Sequence, residues 1–509
     1  MRKELTSPRQ AVCNDGSQGA FWFAPARSPE FANVWVVYLQ GGMWCYSQQT
    51  CEQRSQQTPF LVSSVGLEHS VSMSGVFDTD PRRNPLAAAN KVYVAYCSSD
   101  AWAGDAGPDS NPMGWQFRGQ RIVNATFHTL VEQHGLGTLP KTKVVFGGCS
   151  AGSRGAMFNL DVVANAVVPR GVEVVGLLDS PLWVDVQPFG DNPNVMPLEN
   201  ETQLIVPYIN PSLVLDPDCV ATYPGDENWK CLYGQYRLPF LKTPYLLSAS
   251  QFDKYQLSYN EAASPPYTGD ALTYADGFQS TVRGVLAGLP TPQQAGSAVF
   301  STACFKHCTS DIGDFWGVKI GHISLKTWMA AWLTGQLPQP QLVEPCTGFG
   351  CGQCHSKPAP GAVTLAGLYP SPPPPAAAQP PGRARRGGTP TTRVAPAPTT
   401  RKSPVPVSVA TSPPAPPVVQ THMSRLHQIV KNTIVGGVLI AGLGLCLGYA
   451  SRVVRKPPTI ADELEQRRLL AKNSSTGGKW GFQQPKQAAS ASSVRTSGRS
   501  PRGGRPAGL

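Results

Sequence analysis

The chain has 509 residues, a net charge of +11, 50 prolines and 13 cysteines. That much proline excludes one uniform globular domain, and the prolines, with much of the basic excess, crowd after Pro358. The positive charge therefore belongs to a tail. With no folded basic patch and no reader motif, the sequence excludes nucleic-acid binding.

In chain order, the start Met-Arg-Lys-Glu-Leu-Thr has no apolar h-region. Twelve cysteines nevertheless precede Lys357, the dense, even set of an oxidising compartment. A start missing from this sequence is the expectation that reconciles the two. Cys45 with Cys51 and Cys304 with Cys308 pair locally in sequence, Cys346, Cys351 and Cys354 cluster, and Cys13 and Cys97 are further disulfide candidates. Cys351-Gly-Gln-Cys354-His355 has the form of half a zinc site, but there is no second Cys-x-x-Cys to complete it. Asn124-Ala-Thr126 and Asn200-Glu-Thr202 are candidate glycosylation sequons.

From Cys13 to about Gly335, apolar strands alternate with helices. The strands are predicted at Val34 to Leu39, Val92 to Tyr96, Val144 to Phe146, Val172 to Leu178, Tyr245 to Ala249 and Ala298 to Thr302. The helices are predicted at Arg118 to His134, Ser153 to Val167, Ala271 to Leu289 and Ile323 to Leu333, the first closed by Gly135 as a C-cap. This alternation implies an α/β fold, a mostly parallel sheet with helices on both faces. Ligands in such folds sit beyond the carboxyl ends of the strands. Asp185 to Lys242 has few periodic signals and several prolines, and reads as an insertion over the sheet.

The stretch that organises this domain is Val144 to Gly152. A short apolar strand runs into Gly148-Cys-Ser150-Ala-Gly152, and a helical pattern follows. A strand, a sharp Gly-flanked turn and a helix raise a serine above the sheet as a nucleophile. A serine needs a base and an orienting acid, in the order Ser, Asp or Glu, His for this fold class. His307, at the end of the Ala298 to Thr302 strand and between two cysteines, is the expected base, with His322 as runner-up. Asp253, just after the Tyr245 to Ala249 strand, is the expected acid, ahead of Asp179. The Gly-rich turn Leu39-Gln-Gly41-Gly42-Met43 would supply oxyanion-hole N–H groups from Gly42 and Met43, and Ala151 another.

At these residues the chain resembles the pectin acetylesterase / Notum family of carboxylesterases. The likeness rests on Ala11-Val-Cys13-Asn-Asp-Gly16, Leu39-Gln-Gly-Gly-Met-Trp-Cys45, Tyr96-Cys97, Phe117-Arg-Gly-Gln-Arg-Ile122, Gly148-Cys-Ser-Ala-Gly152 and Cys304-Phe-Lys-His-Cys308. It runs to about Thr334. The resemblance implies an α/β-hydrolase fold, a Ser150, Asp253, His307 triad, a chain that begins near a mature N-terminus, and a buried free thiol at Cys149. Gln40 stands where family members usually carry Glu, and Met43 where plant members carry Gly.

Beyond this 1–357 domain, residues 358–431 form a Pro-, Ala-, Thr- and Ser-rich stretch expected to be a disordered stalk. Residues 432–451 carry no charge and are expected to be a single transmembrane helix, with Arg452, Arg455 and Lys456 placing the C-terminus in the cytoplasm. Gly444 and Gly448 hint at a homodimer through that helix. Residues 452–509 read as a basic, disordered tail. The expectation is therefore a membrane-anchored serine esterase with an extracellular or luminal catalytic domain. It would act on acetylated polysaccharide and need no cofactor or metal. Alternatives are a Notum-like deacylase of lipid-modified protein, a catalytically inactive wall-binding anchor, and a cytosolic domain with a C-terminal anchor.

Overall fold

A computed structural model describes residues 1–5, 10–190 and 195–354. Nine strands form one sheet: β1 (Arg2–Glu4), β2 (Ala20–Ala24), β3 (Val34–Leu39), β4 (Asn90–Val94), β5 (Lys143–Cys149), β6 (Glu173–Asp179), β7 (Tyr245–Ser248), β8 (Ala298–Ser301) and β9 (Gln341–Val343). Their order is β1-β2-β4-β3-β5-β6-β7-β8-β9. The β1–β2 and β2–β4 pairs are antiparallel, and every pair from β4 onward is parallel. The longer helices are α1 (Gln48–Gln57), α2 (Gly119–His134), α3 (Ala151–Val162), α4 (Leu198–Ile209), α5 (Lys254–Glu261), α6 (Gly269–Ala287) and α7 (Leu325–Leu333).

The continuous apolar run of β3 is explained by burial on both faces. Trp35, Val37 and Leu39 join a core with Phe127 of α2, Met157 of α3 and Phe278 of α6. Val36 and Tyr38 join a second core with Trp328 and Met329 of α7. The two-residue repeat of a strand sends alternate side chains to opposite faces, so both must be apolar when helices cover both. Gly135 closes α2 in the left-handed conformation, φ 79°.

Several expectations are corrected. The antiparallel β1 and β2, the edge strand β9, and α1 carry no strong period and were not anticipated. Ile323–Ser324 is a short strand, so the last helix begins at Leu325. The insertion from Asp185 to Lys242 sends Trp229, Leu232, Tyr233 and Leu238 into the core beneath α2, α3 and α6, and carries a helix α4 and a Cys219–Cys231 bridge.

The cysteines pair as Cys13–Cys97, Cys45–Cys51, Cys149–Cys308, Cys219–Cys231, Cys304–Cys354 and Cys346–Cys351. Cys304 and Cys308 are therefore not partners. The extended pair Phe305–Lys306 lies between them, and extended backbone rises about 3.3 Å per residue, which carries such neighbours out of disulfide reach. Cys149 is bonded and is not a free thiol. Cys351 and Cys354 are both in bridges, which removes them from a zinc site. Six bridges fit an oxidising, extracellular or luminal setting.

Asn124 is 7 % exposed within α2, which leaves no room for a glycan on the folded domain. Asn200 lies half-buried in the first turn of α4. No helix among the described residues is long and apolar enough to cross a membrane. The expected stalk 358–431, span 432–451 with its dimer motif, and tail 452–509 lie outside the described residues, as does His355.

Candidate active site

Ser150 occupies the turn between β5 and α3 at φ 57°, ψ −125°. Such backbone typically costs about 1–3 kcal/mol and persists only where the surroundings over-determine it. They do so here. The Ser150 N–H donates to the Asp179 carbonyl at 3.0 Å, and the Ser150 carbonyl accepts from Arg154 N–H at 2.9 Å. A Cβ on Gly148 would lie 2.3 Å from the Gly152 carbonyl carbon, and one on Gly152 would lie 2.0 Å from the Leu39 carbonyl oxygen. The glycines on either side of the serine are therefore a steric requirement of a helix start pressed against the end of β3.

The turn after β3 passes directly over this serine: a Cβ on Gly41 would lie 3.2 Å from Ser150 Cβ. Gly42 and Met43 both have positive φ, 144° and 60°. Tyr96 O–H donates to the Met43 carbonyl at 2.8 Å, Tyr96 N–H donates to Gln40 Oε1 at 3.0 Å, and Trp102 Nε1–H donates to the Gln40 carbonyl at 3.2 Å. With its carbonyls tied back this way, the turn leaves the Gly42 and Met43 N–H groups without a protein acceptor among the described residues. Ala151 opens α3 beside the serine, where the positive end of the helix dipole lies.

Asp253 and His307 are brought together by a second, two-stranded element. Phe252–Asp253 pairs in parallel with Phe305–Lys306, so the acid's strand lies beside the strand that delivers the histidine. Asp253 caps α5, its Oδ1 accepting from Gln256 N–H at 3.0 Å, while its Oδ2 accepts from His307 Nδ1–H at 2.8 Å. His307 Nε2 is buried and has no hydrogen-bond partner, Ser150 included. Nucleophile–base contacts of this kind commonly tighten only when substrate binds. Burial alone would push the imidazole pKa down. Asp253, with Asp179 and Asp311 behind it, outweighs burial and raises the pKa above its ordinary 6.5.

Asp179, the runner-up acid, does a different job. It is fully buried, and its Oδ2 accepts the N–H groups of Thr309 at 2.7 Å and Ser310 at 2.6 Å. Burial raises its pKa against those hydrogen bonds. Beside it, Ser180 Oγ accepts from Cys308 N–H at 3.1 Å. The Cys149–Cys308 bridge then joins the residue before Ser150 to the residue after His307. The two sulfurs and a His307 ring nitrogen lie within 4.8 Å of one another. His322 is exposed in a turn between two short strands and is not part of this cluster.

Sequence reasoning missed two charged residues here. Arg154 is 1 % exposed and Glu201 is 2 % exposed. The available signal was that Arg154 is the one charge in the apolar first turns of the helix after the serine, Ala151 to Leu160.

The sequence profile of the family described as Pectinacetylesterase matches residues 4–354. The chain belongs to this family. Among curated relatives, the palmitoleoyl-protein carboxylesterase NOTUM of Drosophila melanogaster is 29% identical over 333 residues, which cover 63% of this chain and 46% of the relative. The notum1 enzyme of Xenopus laevis is 27% identical over 316 residues, covering 60% and 62%. The match thus spans less than two thirds of the length of either relative. A solved structure described as the Wnt deacylase Notum from Drosophila is also similar. Its TM-score is 0.63 at 27% identity, covering 70% of this chain and 99% of that one. It shares the α/β-hydrolase-like architecture with a mostly parallel central sheet.

Proposed function

We propose that the chain is a serine carboxylesterase that removes acetyl groups from a cell-wall or matrix polysaccharide by an acyl-enzyme mechanism. The observation that carries the esterase chemistry is the His307 Nδ1–Asp253 contact of 2.8 Å with Nε2 left unpartnered, in a loop bonded to the turn that holds Ser150; the match to the family described as Pectinacetylesterase supports the polysaccharide substrate. His307 Nε2 takes the Ser150 hydroxyl proton as Oγ attacks the ester carbonyl. Asp253 holds the imidazole in the required tautomer and stabilises it when charged. The N–H groups of Gly42, Met43 and Ala151 receive the oxyanion. Collapse of the tetrahedral intermediate expels the sugar hydroxyl, which takes the proton back from His307. Water, deprotonated by the same base, then attacks the acyl-serine, and acetate leaves with regeneration of Ser150.

A second reading, deacylation of a lipid-modified protein, is favoured by the relatives named palmitoleoyl-protein carboxylesterases. One experiment separates the two. The full-length chain and its Ser150→Ala variant are assayed on p-nitrophenyl acetate, butyrate and octanoate, then on acetylated pectin. Fast acetate turnover and acetate release from pectin, both lost in the variant, support the polysaccharide reading. A clear preference for octanoate moves the assignment to the lipidated protein. Equal, negligible rates for both proteins overturn the esterase.

A further inference from the structure

Two buried charges that the mechanism does not use, Arg154 and Glu201, lie beside the candidate site. Arg154 lies four residues after Ser150 on α3. Its guanidinium carbon is 3.9 Å from the ring centre of Trp44 and 3.8 Å from that of Trp183. One nitrogen donates to the Leu232 carbonyl at 3.3 Å, and Nε and Nη1 have no hydrogen-bond partner among the described residues. The two rings are 5.6 Å apart and 76° to one another, so they form a corner in which the guanidinium is lodged. Trp44 is the residue after Met43, and its Nε1–H donates to Glu201 Oε2 at 2.9 Å. Glu201, on α4 of the insertion, also accepts from Tyr259 O–H at 2.7 Å. Tyr259 belongs to α5, the helix that Asp253 caps. On the same helix, Tyr255 stacks on Trp183 and lies 5.4 Å from the His307 ring.

A buried cation without full hydrogen bonding is an expensive feature, and burial pushes Arg154 down to about 10 and Glu201 up to about 7. Cations over indole faces are most strongly attracted when desolvated, which offsets part of that penalty and fixes the spacing of the two rings. What the spacing holds is the backbone next to Trp44, where Gly42 and Met43 keep positive φ.

We propose that Arg154 is a positioning residue: lodged in the corner between Trp44 and Trp183, with Trp44 anchored in turn on Glu201, it holds the Gly42–Met43 turn and α5 in register with Ser150. The proposal rests on the esterase reading. Donors aimed at the oxyanion act only in the transition state, so loosening them lowers kcat and leaves KM alone.

The test uses the full-length chain with p-nitrophenyl acetate, and counts reactive serines by end-point labelling with a fluorophosphonate probe. Arg154→Met is expected to lower kcat per labelled serine by about 10²-fold with KM unchanged, the size of effect that a misplacement of about 1 Å produces. Arg154→Lys, which keeps the cation but stacks less well, recovers part of the loss. Glu201→Gln keeps the side chain's shape but weakens its hold on Trp44 and Tyr259, and is expected to lower kcat without moving KM. If Arg154→Met does not fold, the Lys and Gln variants carry the test. Wild-type kcat per labelled serine in both, or a loss confined to KM or to thermal stability, overturns the proposal. Failure of the esterase reading looks different, because the wild-type chain itself would then neither label nor hydrolyse.

Discussion

The turn carrying Ser150 is held by its own glycines and by the two strands that flank β5. Gly148 and Gly152 admit the start of α3 against the end of β3, and the serine N–H is taken by the next strand along the sheet. The loop carrying His307 is held from far away. Asp179, about 130 positions earlier, receives its backbone N–H groups, Asp253 receives its imidazole, and Cys149 is bonded to it across a separation of 159 residues. The serine turn answers its neighbours with small residues of its own, because what the adjacent strands demand of it is only room. The base cannot be placed by room alone, because the position of its ring depends on whichever distant groups pair with the loop.

That contrast is broken most sharply at the two aspartates. Asp253→Asn is expected to lower kcat by about 10⁴-fold, because the imidazole loses the partner that fixes its tautomer. Asp179→Asn leaves that partner in place. It weakens two hydrogen bonds to a carboxylate and is expected to lower unfolding free energy by about 2 kcal/mol, with a far smaller fall in kcat. Steady-state kinetics on p-nitrophenyl acetate and urea unfolding check both, and equal kinetic losses would reverse the assignment of the acid.

The next effect comes from the bridge. Replacing Cys149 and Cys308 together by Ser is expected to lower unfolding free energy by about 2–5 kcal/mol. It should lower kcat as the histidine loop loosens. The serine turn should survive, so end-point fluorophosphonate labelling persists. Loss of labelling together with kcat would mean that the serine turn also depends on the bridge.

The smallest effect concerns pH. In the proposed mechanism the base works as neutral imidazole, so kcat/KM should rise with pH through an apparent pKa above the ordinary 6.5. Asp253→Asn removes the charge that favours imidazolium, and the inflection should move down. A pH profile of the wild type and of the residual activity in that variant reads the shift. An inflection that stays in place would separate the profile from the Asp253–His307 contact.

The parts of the molecule legible from the residues alone were those that obey a local rule. The alternation of apolar strands and helices requires a sheet covered on both faces, and Gly148-x-Ser150-x-Gly152 marks a turn that packs closely against its neighbours. Chain order and strand ends were enough to nominate Asp253 and His307, because the carboxyl ends of parallel strands all open on the same side. The antiparallel β1 and β2 and the edge strand β9 were missed, since short strands carry too few residues for a period to emerge. The cysteines had no local rule either. Cys304 and Cys308 look adjacent in sequence, but extended backbone separates them, and their partners Cys354 and Cys149 arrive from distant segments. Arg154 and Glu201 were decided by tertiary structure for the same reason. A charge written into an apolar helix has no assigned place until two tryptophans from distant segments, one of them tied to a buried carboxylate, pack against it.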